Sequence, residues 1–136
     1  MAEFKLEIFT PEHNVFSQQV EAVRLTGLDG EFTVLAGHAA MVAALGIGSM
    51  SVKQGGKWHD AFTSEGFVEV RPDETLIFAQ AFEWEEDIDV ARAQAARARV
   101  EARLRSQQSK REFAHNSISM ARALARLRVS KKSPNQ

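Results

Sequence analysis

The residues of this sequence that could do chemistry are mostly arginines in its last third. Arg92 and Arg99 stand seven residues apart, and Arg122 and Arg126 stand four apart. In a helix, each of these spacings brings both side chains onto one face. If two such helices lie antiparallel, the four guanidinium groups could converge. Such a cluster makes sense only if an anion with several oxygens, such as a polyphosphate, or an acidic protein surface neutralises it.

A simpler interpretation stays open, because two arginine-rich helices with solvated polar faces would show the same spacing. The sequence contains no GxxxxGKS/T phosphate loop, no GxSxG nucleophile motif and no HExxH metal motif. It has no cysteine, and its four histidines lie far apart, so no thiol chemistry and no metal site are predicted. We therefore expect no catalytic residues and a protein that is not an enzyme.

The distribution of charge divides the chain near Glu86. Residues 1–86 carry a net charge of −9 and all eight glycines, whereas residues 87–136 carry +8 and are rich in alanine and arginine. This change predicts two domains, 1–86 and 87–136. The N-terminus lacks the pattern of a signal peptide, and no run approaches the roughly 18 apolar residues of a membrane span. A soluble chain is expected.

The first domain has the pattern of short strands separated by turns. Phe4, Leu6 and Ile8 alternate with polar residues and would share one face of a strand. Glycine- or proline-containing turns at 27–30, 54–57 and 71–74 separate further segments. The other predicted strands are Val20–Leu25, Phe32–Leu35, Ile47–Val52, Trp58–Phe62, Phe67–Val70 and Thr75–Ala79. Because no helix-length segment intervenes, a sandwich or barrel is predicted.

The second domain has the pattern of two helices. The first runs from Ile88 to about Arg105 without glycine or proline, with Asp87 as its expected cap. A polar turn at 106–108 follows. The second helix starts with the capping box of Ser109–Glu112 and extends to about residue 129. The short connection predicts an antiparallel pair.

The predicted contact faces of the helices are narrow. The first helix offers small residues, and the second offers a stripe of mostly apolar residues three or four apart. The first face contains Ala93, Ala96 and Val100, and the second contains Phe113, Ser117, Met120, Leu124 and Leu127. Small side chains bury little apolar surface, so we hypothesise that the hairpin is weakly packed and can detach.

The order of these features resembles a known family. The residues that carry the resemblance are Thr10–Glu12, Val15–Ser17, Val20, Gly30–Ala39, Gly66–Val70, Ile88–Ala93 and Ala123–Val129. Together they resemble the epsilon subunit of the bacterial F-type ATP synthase over residues 3 to about 130. That resemblance implies an antiparallel β-sandwich followed by an antiparallel two-helix hairpin. The sequence departs from the family pattern at Ala36 and Ala40, where proline is usual, and at Glu65, where a second glycine is usual.

The resemblance also implies a site for ATP, because Ile88–Ala93 fits the I/L-D-x-x-R-A pattern found in some bacterial members. Residues implied to contact the nucleoside are Glu83, Ile88, Asp89 and Ala93, and those implied to face the phosphates are Arg92, Arg99, Arg122 and Arg126. Carboxylates can accept hydrogen bonds from an amino or ribose hydroxyl group, but they repel phosphate, so this division of roles is physically sensible. ATP, alone or with magnesium, would be a regulatory ligand bound without hydrolysis.

The partners that the resemblance implies are those of a rotor subunit. The sandwich would join the gamma subunit to the c-subunit ring, with Glu31 and His38 towards the ring, although both could equally be ordinary surface residues. The hairpin would either extend to the alpha/beta catalytic head and inhibit hydrolysis, or lie down beside the sandwich in the state that ATP favours. The expected location is peripheral, on the cytoplasmic side of the cell inner membrane.

The alternative function is nucleic-acid binding by the basic helices, since clustered arginine attracts any phosphate backbone. The alanine-rich helix faces lack the aromatic side chains that stack on bases, and the acidic first domain would repel a long polyanion. We therefore expect no nucleic-acid partner.

Overall fold

The computed structural model describes residues 2–106 and 109–131, and within them ten strands precede two α-helices. The strands are β1 (Phe4–Phe9), β2 (Asn14–Val20), β3 (Ala22–Gly27), β4 (Gly30–Leu35), β5 (Met41–Leu45), β6 (Gly48–Gln54), β7 (Lys57–Thr63), β8 (Gly66–Val70), β9 (Glu74–Ala79) and β10 (Phe82–Trp84). A 3₁₀ turn at Glu85–Asp87 leads to α1 (Val90–Arg105) and α2 (Lys110–Lys131). The predicted sandwich followed by a helical hairpin is confirmed. Residues 107 and 108 of the predicted turn lie outside the described residues.

The ten strands form one hydrogen-bonded sheet that folds into two layers. One layer has the order β10-β7-β6-β3-β4, and the other has the order β5-β8-β9-β1-β2. The layers are joined where Gly27 of β3 pairs with Leu45 of β5. Strands β1 and β9 pair in parallel, so the prediction of an antiparallel sandwich is wrong at this one place. These two strands lie at opposite ends of the domain sequence, and no hairpin turn forces them to run in opposite directions.

The core lies between the two layers. The alternating residues Phe4, Leu6 and Ile8 are buried, as their spacing predicted. Val23 and Met50 of the other layer belong to the same buried cluster. The stretch predicted as one strand from residue 20 to 25 is instead interrupted at Glu21, whose N–H donates to the carbonyl of residue 53 at 2.8 Å.

The sequence pattern did not predict three of the strands, β2, β5 and β10, of which β2 is mostly polar and exposed. β5 contains adjacent alanines, which have little preference for strands, and β10 has only three residues. Each is held by pairing with a strand that was predicted, β2 with β1, β5 with β8 and β10 with β7.

Helix α1 begins two residues later than predicted, and its N-terminal cap is Asp89 rather than Asp87. The carboxylate of Asp89 accepts a hydrogen bond from the N–H of Arg92 at 3.0 Å. The backbone of Ile88 stays extended, and its side chain is buried in the apolar cluster described next. The extended backbone of Ile88 and the cap formed by Asp89 together place the start of the helix after residue 89. The capping box at Ser109–Glu112 is confirmed by reciprocal hydrogen bonds of 3.1 and 3.4 Å.

Helix α2 lies between α1 and the sandwich, where it packs on β6 and β7. Its contact with the sandwich is centred on a small apolar cluster, hereafter the junction cluster. The junction cluster consists of Phe62, Ile88, Ala125 and Val129. Leu127 is buried as predicted, but Phe113 is 54% exposed, so the predicted stripe is wrong at its N-terminal end.

Candidate functional site

A cleft of about 460 Å³ lies between α1 and α2 and reaches β10. This volume falls within the range of small-molecule binding sites. Seven of the eight residues predicted to bind ATP line it, namely Glu83, Asp89, Arg92, Ala93, Arg99, Arg122 and Arg126. The convergence of the four arginines that the helix spacing suggested is therefore present in the structure.

The α1 wall carries Arg92 and Arg99, which lie two turns apart on one face. Ala93 and Val100 beside them are buried, whereas both arginine side chains are exposed. Among residues 2–106 and 109–131, no carboxylate lies within ion-pair distance of either guanidinium. These two charges are therefore available to an anion in the cleft.

On the α2 wall, Arg126 is held by two contacts with the sandwich domain. Its Nε donates to both carboxylate oxygens of Glu83 at 3.2 and 3.1 Å, and its Nη2 lies 2.9 Å from Glu83 Oε2. The guanidinium carbon lies 4.3 Å from the ring centre of Phe62, a cation–π contact. Glu83 thus orients Arg126 and supplies a carboxylate at the border of the cleft.

One turn earlier, Arg122 is also paired with the sandwich. Its Nη2 donates to Glu65 Oε1 at 2.8 Å. That hydrogen bond is the main reason why the pKa of Glu65 lies below its ordinary value of 4.5. The Nε of Arg122 is buried and has no hydrogen-bond partner among the described residues.

An acidic protein surface was expected as the alternative to a bound anion, and for two of the four arginines that surface is the chain's own sandwich. Arg122 and Arg126 are neutralised by carboxylates of the chain's own sandwich, 57 and 43 residues away in sequence. The docked hairpin therefore forms with half of its arginine cluster already paired. Arg92 and Arg99 have no such carboxylate among the described residues.

The electrostatic character of the cleft follows from its lining. Five arginines and three carboxylates border it, because Arg103 and Asp87 also line it. Asp89 is committed to capping α1, and Glu83 is committed to Arg126. The excess of positive charge favours binding of a compact polyanion, and guanidinium groups can donate paired hydrogen bonds to its oxygens.

Helix spacing could have predicted two further residues that line the cleft. Arg103 follows Arg99 by four residues and so continues the same face of α1. Ser119 precedes Arg122 by three and lies on the same side of α2. Glu65 could not be found this way, because it reaches Arg122 only through the tertiary fold.

The remaining predicted site residues lie elsewhere. Ile88 does not line the cleft, since its side chain is 8% exposed and belongs to the junction cluster. Glu31 is exposed near the start of β4, and His38 is half-buried three residues after that strand ends. The structure thus places Glu31 and His38 at opposite ends of β4 and does not bring them together.

Two family models match the chain. The model of the ATP synthase delta/epsilon chain β-sandwich domain matches residues 3–85, and that of the long α-helix domain matches residues 86–131. The chain belongs to the ATP synthase delta/epsilon family. The family resemblance inferred from sequence motifs is confirmed.

Relatives within the family are ATP synthase epsilon chains. That of Caldicellulosiruptor saccharolyticus is 40% identical and aligns over 95% of this chain and 94% of its own length. That of Ruminiclostridium cellulolyticum is 41% identical, over 93% and 95%. That of Nitratidesulfovibrio vulgaris is 44% identical, over 91% and 92%. The chain is thus an epsilon-type member of the family, a subunit of the ATP synthase complex.

Solved structures share the fold of this epsilon-type chain. A chain of the Euglena gracilis mitochondrial ATP synthase structure, described as OSCP/F1/c-ring, superposes with a TM-score of 0.81 at 23% identity, covering 92% of this chain and 79% of that one. A chain of the Tetrahymena thermophila mitochondrial central stalk and c-ring structure superposes with a TM-score of 0.69 at 9% identity, covering 95% and 97%. Neither helix in the described part of the chain has the length and apolarity to cross a membrane.

Proposed function

We propose that this chain is a rotor subunit whose hairpin binds ATP in the cleft between α1 and α2, and that bound ATP favours the docked, non-inhibitory hairpin. The observation that carries the proposal is the convergence of Arg92, Arg99, Arg122 and Arg126 in one cleft of about 460 Å³. Two of these guanidinium groups have no carboxylate partner among the described residues. A triphosphate would supply the missing negative charge.

The proposed orientation of ATP follows from the distribution of charge. The phosphates would lie between the two arginine pairs, and the nucleoside would lie towards Glu83 and Asp89. Carboxylates accept hydrogen bonds from amino and ribose hydroxyl groups but repel phosphate, which favours this direction over the reverse. Because Glu83 is held by Arg126 and Asp89 caps α1, we expect ATP to be bound without being hydrolysed. Magnesium would enter with the phosphates.

For the complex, we propose that the sandwich joins the gamma subunit to the c-subunit ring, with Glu31 and His38 on the side of the ring. The two solved structures described above belong to assemblies that include a c-ring, which supports such a partnership. An undocked hairpin would reach the alpha/beta catalytic head and inhibit hydrolysis. The location that follows is peripheral, on the cytoplasmic side of the inner membrane.

Calorimetric titration of the full chain tests the binding proposal. We expect ATP to bind, ADP to bind more weakly because it carries less charge, and Arg92→Gln to weaken ATP binding by about ten- to a hundredfold, as for a lost charge-assisted hydrogen bond. Arg97→Gln is the matched control, because Arg97 is on the same helix but pairs with Glu101 at 2.8 Å. Absence of ATP binding, or equal weakening by the two variants, would overturn the proposal.

A further inference from the structure

Glu65 connects the sandwich to the cleft at a position where the family pattern has glycine. It lies in the two-residue connection between β7 and β8, and its carboxylate accepts a hydrogen bond from Arg122 at 2.8 Å. Arg122 lines the cleft, whereas Glu65 does not. The carboxylate therefore holds this arginine from the side of the sandwich.

Hydrogen bonds hold the backbone around Glu65, and its carboxylate reaches α2 from there. The carbonyl of Glu65 accepts a hydrogen bond from the N–H of Gln80 at 3.1 Å. Ser64 exchanges two further bonds with Ala81, at 3.0 and 2.7 Å. The next residue, Gly66, packs so closely on β9 that a Cβ there would overlap the carbonyl of Phe78. This hydrogen-bonded corner keeps the backbone of Glu65 in place, with Arg122 within reach of its side chain.

We infer that Glu65 competes with the anion in the cleft for Arg122, and thereby lowers the affinity of the cleft for ATP while holding α2 on the sandwich in the absence of ATP. The inference rests on the proposed function. A carboxylate and a phosphate offer a guanidinium the same kind of oxygen, and Arg122 directs one Nη2 hydrogen bond to Glu65. The buried Nε of Arg122 lacks an acceptor among the described residues. One donor of this guanidinium therefore stays unsatisfied while Arg122 is paired with Glu65.

The magnitude is limited by solvent. The side chains of Glu65 and Arg122 are 42% and 36% exposed, so their pairing is screened. An ion pair of this kind corresponds to a factor of roughly two to five in an equilibrium constant. Glu65→Gln should therefore tighten ATP binding by that factor and increase opening of α2 from the sandwich by that factor in ATP-free protein.

The experiment compares Glu65→Gln with Glu69→Gln in the full chain. Glu69 is the matched control, because it is a sandwich carboxylate four residues away that pairs with Arg71 rather than with the hairpin. Binding of ATP and of inorganic tripolyphosphate is measured by calorimetry, and amide exchange of residues 122–129 is measured without ligand. We expect Glu65→Gln alone to bind both ligands two- to fivefold more tightly and to exchange faster. In the Arg122→Gln background, the effect of Glu65→Gln should vanish.

The outcomes separate the two proposals. If the unmodified chain binds ATP and Glu65→Gln binds it equally tightly, the competition is refuted while the proposed function stands. If no variant binds ATP or tripolyphosphate, the proposed function and the competition both fail, and unchanged exchange in α2 would refute the docking role as well. A gain that persists without Arg122 would also overturn the inference, since it would come from general charge alone.

Discussion

Arg126 is the residue through which docking of the hairpin can be tested most directly. It reaches from α2 to two residues of the sandwich domain, the carboxylate of Glu83 and the ring of Phe62. Arg126→Ala removes both contacts while leaving all four residues of the junction cluster unsubstituted. Arg128→Ala is its control, since Arg128 has the same charge on the same helix but is exposed.

The expected magnitude follows from these contacts. The side chains of Arg126 and Glu83 are 27% and 31% exposed, so the ion pair is only partly screened and contributes about 1 kcal/mol. The cation–π contact at 4.3 Å adds roughly 0.5–1 kcal/mol. Loss of both should raise the equilibrium constant for opening of the hairpin by about 10- to 30-fold. The effect should be confined to the hairpin, because neither contact involves the core between the sheet layers.

Hydrogen exchange measured residue by residue in ATP-free protein is the appropriate assay. Amides of residues 122–129 should exchange about 10- to 30-fold faster in Arg126→Ala, whereas amides of β1 and β9 should exchange at the rate of the unmodified chain. Arg128→Ala should leave both regions unchanged. Equal exchange in α2 of the unmodified chain and of Arg126→Ala would refute the argument that these contacts hold the hairpin down.

Three further predictions concern the same architecture. Gly66→Ala should lower the free energy of unfolding by about 3 kcal/mol and the melting temperature by roughly 10 °C, because the new Cβ overlaps the Phe78 carbonyl; an unchanged thermal transition would contradict the packing at this corner. Ile88→Ala should cost about 2 kcal/mol at the junction cluster, read as faster exchange in α2 with little change in β1. The pKa of Glu65 lies below 4.5 in the folded chain, so its contribution, at most about 1 kcal/mol, is present above that pH and is lost as the pH falls through the folded pKa. Exchange in α2, corrected for the intrinsic rate, should show this acid-dependent component in the unmodified chain and not in Glu65→Gln.

The parts of the fold that were predictable from sequence are those determined by residues close together in the chain. The alternation in β1 and the capping box at Ser109–Glu112 are local patterns, and both are present in the structure. The start of α1 was misplaced because Asp87 and Asp89 are both possible caps in the sequence, and the structure uses Asp89. The strands that the pattern did not predict depend on their pairing with other strands, as β10 does on β7.

The candidate site was predictable to the extent that it depends on helix periodicity or on the family motif. Spacing indicated that Arg92 and Arg99 share a face, and the structure bears this out. The partners of Arg122 and Arg126 could not be predicted, because 57 and 43 residues separate the paired groups. No periodic pattern links such positions, and only the docking of α2 on β6 and β7 brings them together.

The pairing of these arginines also indicates where ATP would act on the hairpin. The docked hairpin has two interfaces, one between α2 and the sandwich and one between α1 and α2. The interface between α2 and the sandwich contains the junction cluster and both ion pairs. At the interface between α1 and α2, the buried residues of α1 are Ala93 and Val100. Arg92 and Arg99 lie on α1, where the described residues offer them no carboxylate partner.

An anion bound in the cleft would therefore add most to the interface between α1 and α2, by bridging Arg92 and Arg99 of α1 to α2. On this argument, ATP should slow exchange along residues 90–105 more than along residues 122–129, because the latter are already held by Glu65 and Glu83. The measurement is amide exchange with saturating ATP against exchange without it. Uniform protection of both helices would mean that the ligand acts on the docking of α2 instead, and that the two ion pairs contribute little to holding the hairpin.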